Sequence, residues 1–206
     1  IDQSIRFSKA DSAYMSRTVG SGGNTKTWSF SVWFKLGLLG SQRGASPFLW
    51  ACHQSDSNRL QLSLDSGSLG AAGDFLSIYN NTGSGSTIFR LSKKLRDPSA
   101  WYHLVLVADT SNSVANDRFR VYLNGQRETS FSTFNAPSLN ADLGWNQNGS
   151  TYYLGDYFST HNGTYSFDGY MAEINHVDGQ ALTPTSFAEE DDNGVWIPKK
   201  YSGDYG

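Results

Sequence analysis

Cysteine occurs once, at Cys52. A single thiol excludes an intrachain disulfide framework and fits maturation in a reducing cytosol. Charge is sparse, at 17% of the 206 residues with a net value of -3. There is no basic footprint for nucleic acid. The densest cationic cluster, Lys93, Lys94 and Arg96, reads as a solvated loop before Pro98. No apolar run approaches the about 18 residues of a spanning helix, so membrane insertion is not expected. No leader pattern of basic and then apolar residues stands at the start. The chain opens on Ile1, which leaves both processing and a longer parent polypeptide open. Helix signals are nearly missing. One short turn is expected over 183–190, with Thr183 as N-cap and Pro184 at the first helical position.

Aromatic residues, in contrast, make up 14% of the chain, and there are 21 glycines. That balance excludes a disordered chain and suits many short strands joined by turns. Period-two alternation dominates. In 27–35 it puts Trp28, Phe30, Val32 and Phe34 on one face and Ser29, Ser31, Trp33 and Lys35 on the other. Segments 59–65 and 118–123 alternate in the same way. Each reads as a strand with one buried and one wet face. The runs 47–52 and 101–107 are more continuously apolar and read as central strands. Cys52 lies in the first of these and reads as a small buried hydrophobe. Weaker strands are expected at 4–7, 13–17, 75–79, 88–91, 152–154 and 170–177. Asn124-Gly125 and Asp178-Gly179 are read as hairpin turns. Three sequons, at Asn80, Asn148 and Asn162, serve as loop markers. The fold class is all-β: one two-sheet antiparallel jelly-roll sandwich over 1–206, with 191–206 as a C-terminal tail ending in what looks like a cut, unpacked end.

Several segments together resemble the concanavalin A-like, laminin-G-like superfamily. They are Trp28 to Lys35, Trp101 to Val105 with Arg118 to Gly125, Tyr153-Leu154-Gly155, and Phe167 to Ile174. The continuation Asn175 to Thr185 is similar to segments of bacteriophage tail, fibre and head-decoration proteins. The resemblance implies a jelly roll whose members bind sugars, bind proteins or hydrolyse β-glucans.

Hydrolysis needs two carboxylates across the scissile bond, about 5–5.5 Å apart in retaining enzymes. The chain has four glutamates, Glu128, Glu173, Glu189 and Glu190. No acidic pair lies two or four apart on a confident strand, and Glu189 to Asp192 read as a solvated acidic stretch. His53, His103, His161 and His176 show no metal-pair spacing, and His103 and His176 read as structural. No catalytic residues, metal ligands or cofactor are therefore assigned. The resemblance keeps calcium open, since laminin-G-like relatives hold it with loop carboxylates; Asp109, Asp117, Asp156 and Asp168 are the available donors.

Sugar recognition pairs aromatic faces with orienting polar groups. The stretches 143–153 and 156–162 have that composition. The candidate glycan-binding residues are Trp145, Asn146, Asn148, Tyr157 and His161. The reading is a non-catalytic phage virion protein, assembled in the host cytoplasm as a homo-oligomer. Its expected partners are other virion proteins and host-surface glycans. The alternatives are a laminarinase-like hydrolase and a cellular laminin-G-like adhesion module.

Overall fold

The computed structural model describes residues 1–66, 73–157 and 161–206. Among them there is no α-helix, only three short 3-10 turns. One sheet runs, in spatial order, through Ile5–Phe7 (β1), Gly169–Asp178 (β13), Thr27–Leu36 (β3), Tyr102–Asp109 (β8), Phe119–Leu123 (β9) and Gln126–Arg127 (β10). The other runs through Phe131–Phe134 (β11), Ser86–Lys94 (β7), Phe75–Thr82 (β6), Asn58–Asp65 (β5), Phe48–Ser55 (β4), Thr151–Leu154 (β12) and Met15–Thr18 (β2). Neighbours pair antiparallel throughout both sheets, so the expected sandwich is what forms.

The core lies between the sheets. Trp28, Phe30, Val32 and Phe34 of β3 all enter it, as their alternation requires, and meet Leu60, Leu62 and Leu64 of β5 within one buried cluster. Each such side chain contributes roughly 1.5–3 kcal/mol on leaving water. At Asn124-Gly125 both residues take positive φ, 50° and 78°, the geometry a two-residue hairpin turn needs. Burial pushes the Cys52 thiol up to about 12, as befits a packed, inert sulfur.

Several expectations need correction. The second faces of β3 and β5 are not wet: Ser29, Ser31, Ser63 and Asp65 are fully buried, and Gln61 and Trp33 nearly so. Over β3 the cause is the C-terminal segment, which crosses the outside of the six-stranded sheet. Ser29 donates to the Gln180 carbonyl and accepts from the Leu182 N–H. Second, 191–206 is not a loose end. Ala188–Glu190 (β14) and Trp196–Pro198 (β15) pair with each other. Trp196 donates its indole N–H to His103 Nδ1, 3.0 Å away, and Tyr201 packs on Phe187. Third, the turn at 183–190 is a single 3-10 turn over Pro184–Ser186, because β14 takes the residues that would continue it, and Thr183 makes no side-chain cap. Fourth, Asp178-Gly179 is not a hairpin turn. Only Gly179 has positive φ, and the chain leaves the sheet edge to begin its crossing. Asn80, taken as a loop marker, lies within β6, where its side chain accepts from the Gly144 N–H.

A β-bulge interrupts β13. Ala172 pairs with Trp33 and Asn175 with Ser31, so three residues span a step that β3 makes in two. Glu173 sits at the bulge with φ of 48°, in the left-handed region. The extra residue reverses the alternation beyond it. His176 and Asp178 are paired with Phe30 and Trp28, which enter the core, so these two polar residues point inward.

Candidate functional site

On the side where β1 and β13 end one sheet and β12 and β2 end the other, a cleft of 540 Å³ opens between the layers. Alternation places its walls. Ile174, His176 and Asp178 come from β13, Tyr152 and Leu154 from β12, and Arg17 from β2 opposite Tyr152. Phe30, Trp50 and Trp145 close the rear, and Tyr205 stands at the lip, 48% exposed.

The polar groups are held by one another. The Trp145 indole N–H donates to His176 Nε2 at 2.6 Å. Tyr152 donates its hydroxyl to the Asn146 side-chain oxygen. The Asn146 amide donates to Asp178 Oδ1 at 2.7 Å and to the Asn24 carbonyl at 3.0 Å. The Asn24 N–H reaches the same Asp178 oxygen at 2.8 Å. Asn146 has φ of 56°, which asparagine tolerates better than most residues. Gly23 is held tight here: a Cβ on it would lie 2.4 Å from the Asp178 carboxylate.

Burial, aided by the charge of Arg17, lowers His176 to about 4. The ring is neutral at pH 7, and because Nε2 accepts from Trp145 its proton sits on Nδ1. Burial likewise lowers His103 to about 4, under the C-terminal segment. Both histidines take up protons more readily in the unfolded chain, near 6.5. Their contribution to stability is therefore complete above 6.5 and is lost as pH falls from there towards 4. The expected slope is up to about 1.4 kcal/mol per pH unit for each histidine. Urea unfolding between pH 7 and 4 measures it. A His176→Gln chain should lose part of the slope, and a midpoint constant across that range would contradict the assignment.

The five sequence candidates separate. Asn146 and Trp145 belong to the cleft. Trp145, however, is fully buried, so it offers no exposed face for stacking; it forms the rear wall. Asn148 is exposed on the adjoining loop, outside the lining, where its carbonyl accepts from Gln54. Tyr157 and His161 lie on the other side of β12, the side of Tyr153. There Tyr14 stacks on His161, with centroids 4.0 Å apart and planes at 12°, and Tyr153 lies 5.5 Å from the same ring. Asp156 fixes this cluster, holding His161 Nδ1 at 2.9 Å and accepting the Tyr157 N–H at 2.7 Å. Tyr157 packs against Phe48 at 4.7 Å. Phe158, Ser159 and Thr160 of the second candidate stretch lie outside the described residues.

The carboxylates named for calcium do not converge. Asp168 is bound to Arg6, Asp117 to Arg127, Asp109 to Ser111 and Asp156 to His161. Among the described residues no group of three or more acids, histidines or cysteines could hold a metal ion, so the residues present do not fit a calcium site. Glu128 is paired with Lys93 and Glu189 with Lys199, and neither lines the cleft. Asp178 is the one side-chain carboxylate that the described residues bring to the lining.

Sequence reasoning missed Arg17, Tyr152, Asp178 and Tyr205, and took His176 as structural only. Spacing of two along 174–178 was the available signal for a shared face, but the bulge that aims that face inward has no sequence mark.

The family model of the concanavalin A-like lectin/glucanases superfamily matches residues 9–186. No curated protein sequence matches the chain. Among solved structures, it is similar to domains LG4-5 of the mouse laminin α1 chain, at 13% identity and a TM-score of 0.57, over 98% of this chain and 46% of that one. A protein of Bacteroides ovatus assigned to carbohydrate binding is similar at 15% identity and 0.56, over 88% and 44%. The enzymatically active domain of tailspike protein 2 of bacteriophage CBA120 is similar at 16% and 0.56, over 89% and 26%. The chain spans less than half the length of each of these three.

Proposed function

The chain belongs to the concanavalin A-like lectin/glucanase superfamily, and from that membership we propose that it is a non-catalytic carbohydrate-binding domain of a phage virion protein. The observation that carries the reading is the cleft. An apolar floor of Leu154 and Ile174 is rimmed by Tyr205, Tyr152, His176 and Arg17. That is the pairing of ring-sized apolar contact with a few orienting polar groups that saccharide binding needs. The Bacteroides ovatus neighbour supports sugar as the ligand class. The motif Phe167 to Thr185 and the tailspike neighbour support the virion setting, in which the domain assembles as a homo-oligomer beside other virion proteins. The non-catalytic part rests on Asp178 standing alone in the cleft, its Oδ1 already occupied by two donors.

A glycan array followed by calorimetry tests the binding. The parent chain should retain at least one oligosaccharide. Tyr205→Ala, which removes the lip ring, should weaken that affinity by about three- to tenfold, at a cost to unfolding of about 1–2 kcal/mol, since its hydroxyl donates to Asn175 and its ring meets Tyr201. No retained glycan would remove the binding claim, and release of reducing ends from a bound glucan would remove the non-catalytic one. The virion claim falls if mass spectrometry of purified particles does not find the protein.

A further inference from the structure

Resting on the reading of the cleft as a saccharide site, we infer that its ligand is an acidic sugar, whose anionic group is met by Arg17. The polar groups of the cleft are mostly committed to each other. Asn146, Tyr152 and Trp145 all donate within the protein. Asp178, the one side-chain carboxylate among the described residues of the lining, already receives the Asn24 N–H and the Asn146 amide, so its charge is partly answered. Unspent donors remain, Arg17 and His176 among them. The Arg17 guanidinium, exposed on the edge strand β2, forms no hydrogen bond or ion pair with any described residue. His176 keeps a proton on Nδ1, because Nε2 is occupied by Trp145. A neutral sugar asks for donors and acceptors in similar number, since each hydroxyl is both. A carboxylate or sulfate on the ring asks for donors only, and a guanidinium answers it with two parallel N–H groups. The apolar floor under these donors accommodates the ring that carries the anion.

The test compares matched probes by calorimetry: a galactose oligomer, a galacturonate oligomer and a 6-sulfated galactose oligomer of equal length. The galacturonate or the sulfated form should bind about tenfold to a hundredfold tighter than the neutral one. Which of the two wins distinguishes a carboxylate from a sulfate ligand. Raising salt should shrink the gap. Arg17→Gln should erase the gap, weakening the acidic probes by about tenfold or more and the neutral one far less, and Arg17→Lys should restore part of it. Because Arg17 has no hydrogen-bond or ion-pair partner among the described residues, its variants should unfold as the parent does at pH 7. Equal affinity for neutral and acidic probes, or a gap that survives Arg17→Gln, overturns the inference and leaves saccharide binding standing. Failure of all three probes while the array retains another neutral glycan also overturns it. Failure of every glycan removes both.

Discussion

Trp145→Ala is expected to lose about 3–5 kcal/mol of unfolding free energy, a large share of the about 5–15 kcal/mol a domain of this kind holds. Trp145 has no accessible surface, and five rings lie against it, Phe30 and His176 among them. Trp28 stacks at 4.7 Å, Trp50 lies at 3.7 Å and Tyr152 meets it edge-on at 5.0 Å. Truncation leaves a cavity bounded by rigid aromatic walls from both sheets, which cannot close over it. It also removes the donor that His176 Nε2 accepts from, so a buried nitrogen loses its partner in the same step. Equilibrium urea unfolding at pH 7 measures the loss. A change below about 1 kcal/mol would show that the stack is not structural. Loss of glycan binding in this variant would follow from the damaged fold and would say nothing about a sugar contact, which is why the lip residue Tyr205 is the better probe.

Asp74→Ala should cost a comparable amount, about 3–5 kcal/mol, through a different cause. Asp74 stands just before β6 and accepts from Arg43 at 3.0 Å, Arg96 at 2.8 Å and the Gly40 N–H at 2.8 Å. Arg43 is 3% exposed, so the variant leaves its guanidinium buried without a counter-charge. Burial disfavours the Asp74 carboxylate, but the hydrogen bonds from Arg96 and Gly40, with the Arg43 charge, outweigh that and hold it below the ordinary carboxylate range. Its contribution is therefore present above the ordinary range and is lost as pH falls through the depressed value. Thermal unfolding of parent and variant should differ most near neutrality and converge in strong acid. A constant difference across that range would assign the loss to packing instead.

The architecture was legible because burial on one face leaves a two-residue rhythm. That rhythm alone places Trp28, Phe30, Val32 and Phe34 inside. What the rhythm could not show was a second layer of burial. Ser29 and Ser31 look like solvent-facing serines, and only the long-range bonds of Ser29 to Gln180 and Leu182, with that of Ser31 to His103, reveal a covered face. The site was less legible for a related reason. Tryptophan in a Gly/Asn-rich stretch has the composition of a sugar platform, yet Trp145 is drawn into the core by Trp28 and Trp50, which are remote in sequence. Tyr157 and His161 are together, as composition hinted, but they face away from the cleft across β12. Arg17 gave no signal, because a lone arginine on a short exposed strand carries no pattern.

The irregularity at Glu173 acts on this strand as an inserted letter acts on a reading frame. Everything before it is dealt to the two faces in one phase, and everything after it in the other. Were the same residues paired without the bulge, the strand would still pair with β3, but imidazole and carboxylate would be turned out beneath the C-terminal cover. Asn175 and Val177 would then look into the cleft. The ligand-facing chemistry of this edge is thus governed by a backbone count, not by the identity of any residue that would touch a sugar. Relatives that keep the same residues along this strand but pair them without the bulge should not be expected to share the site.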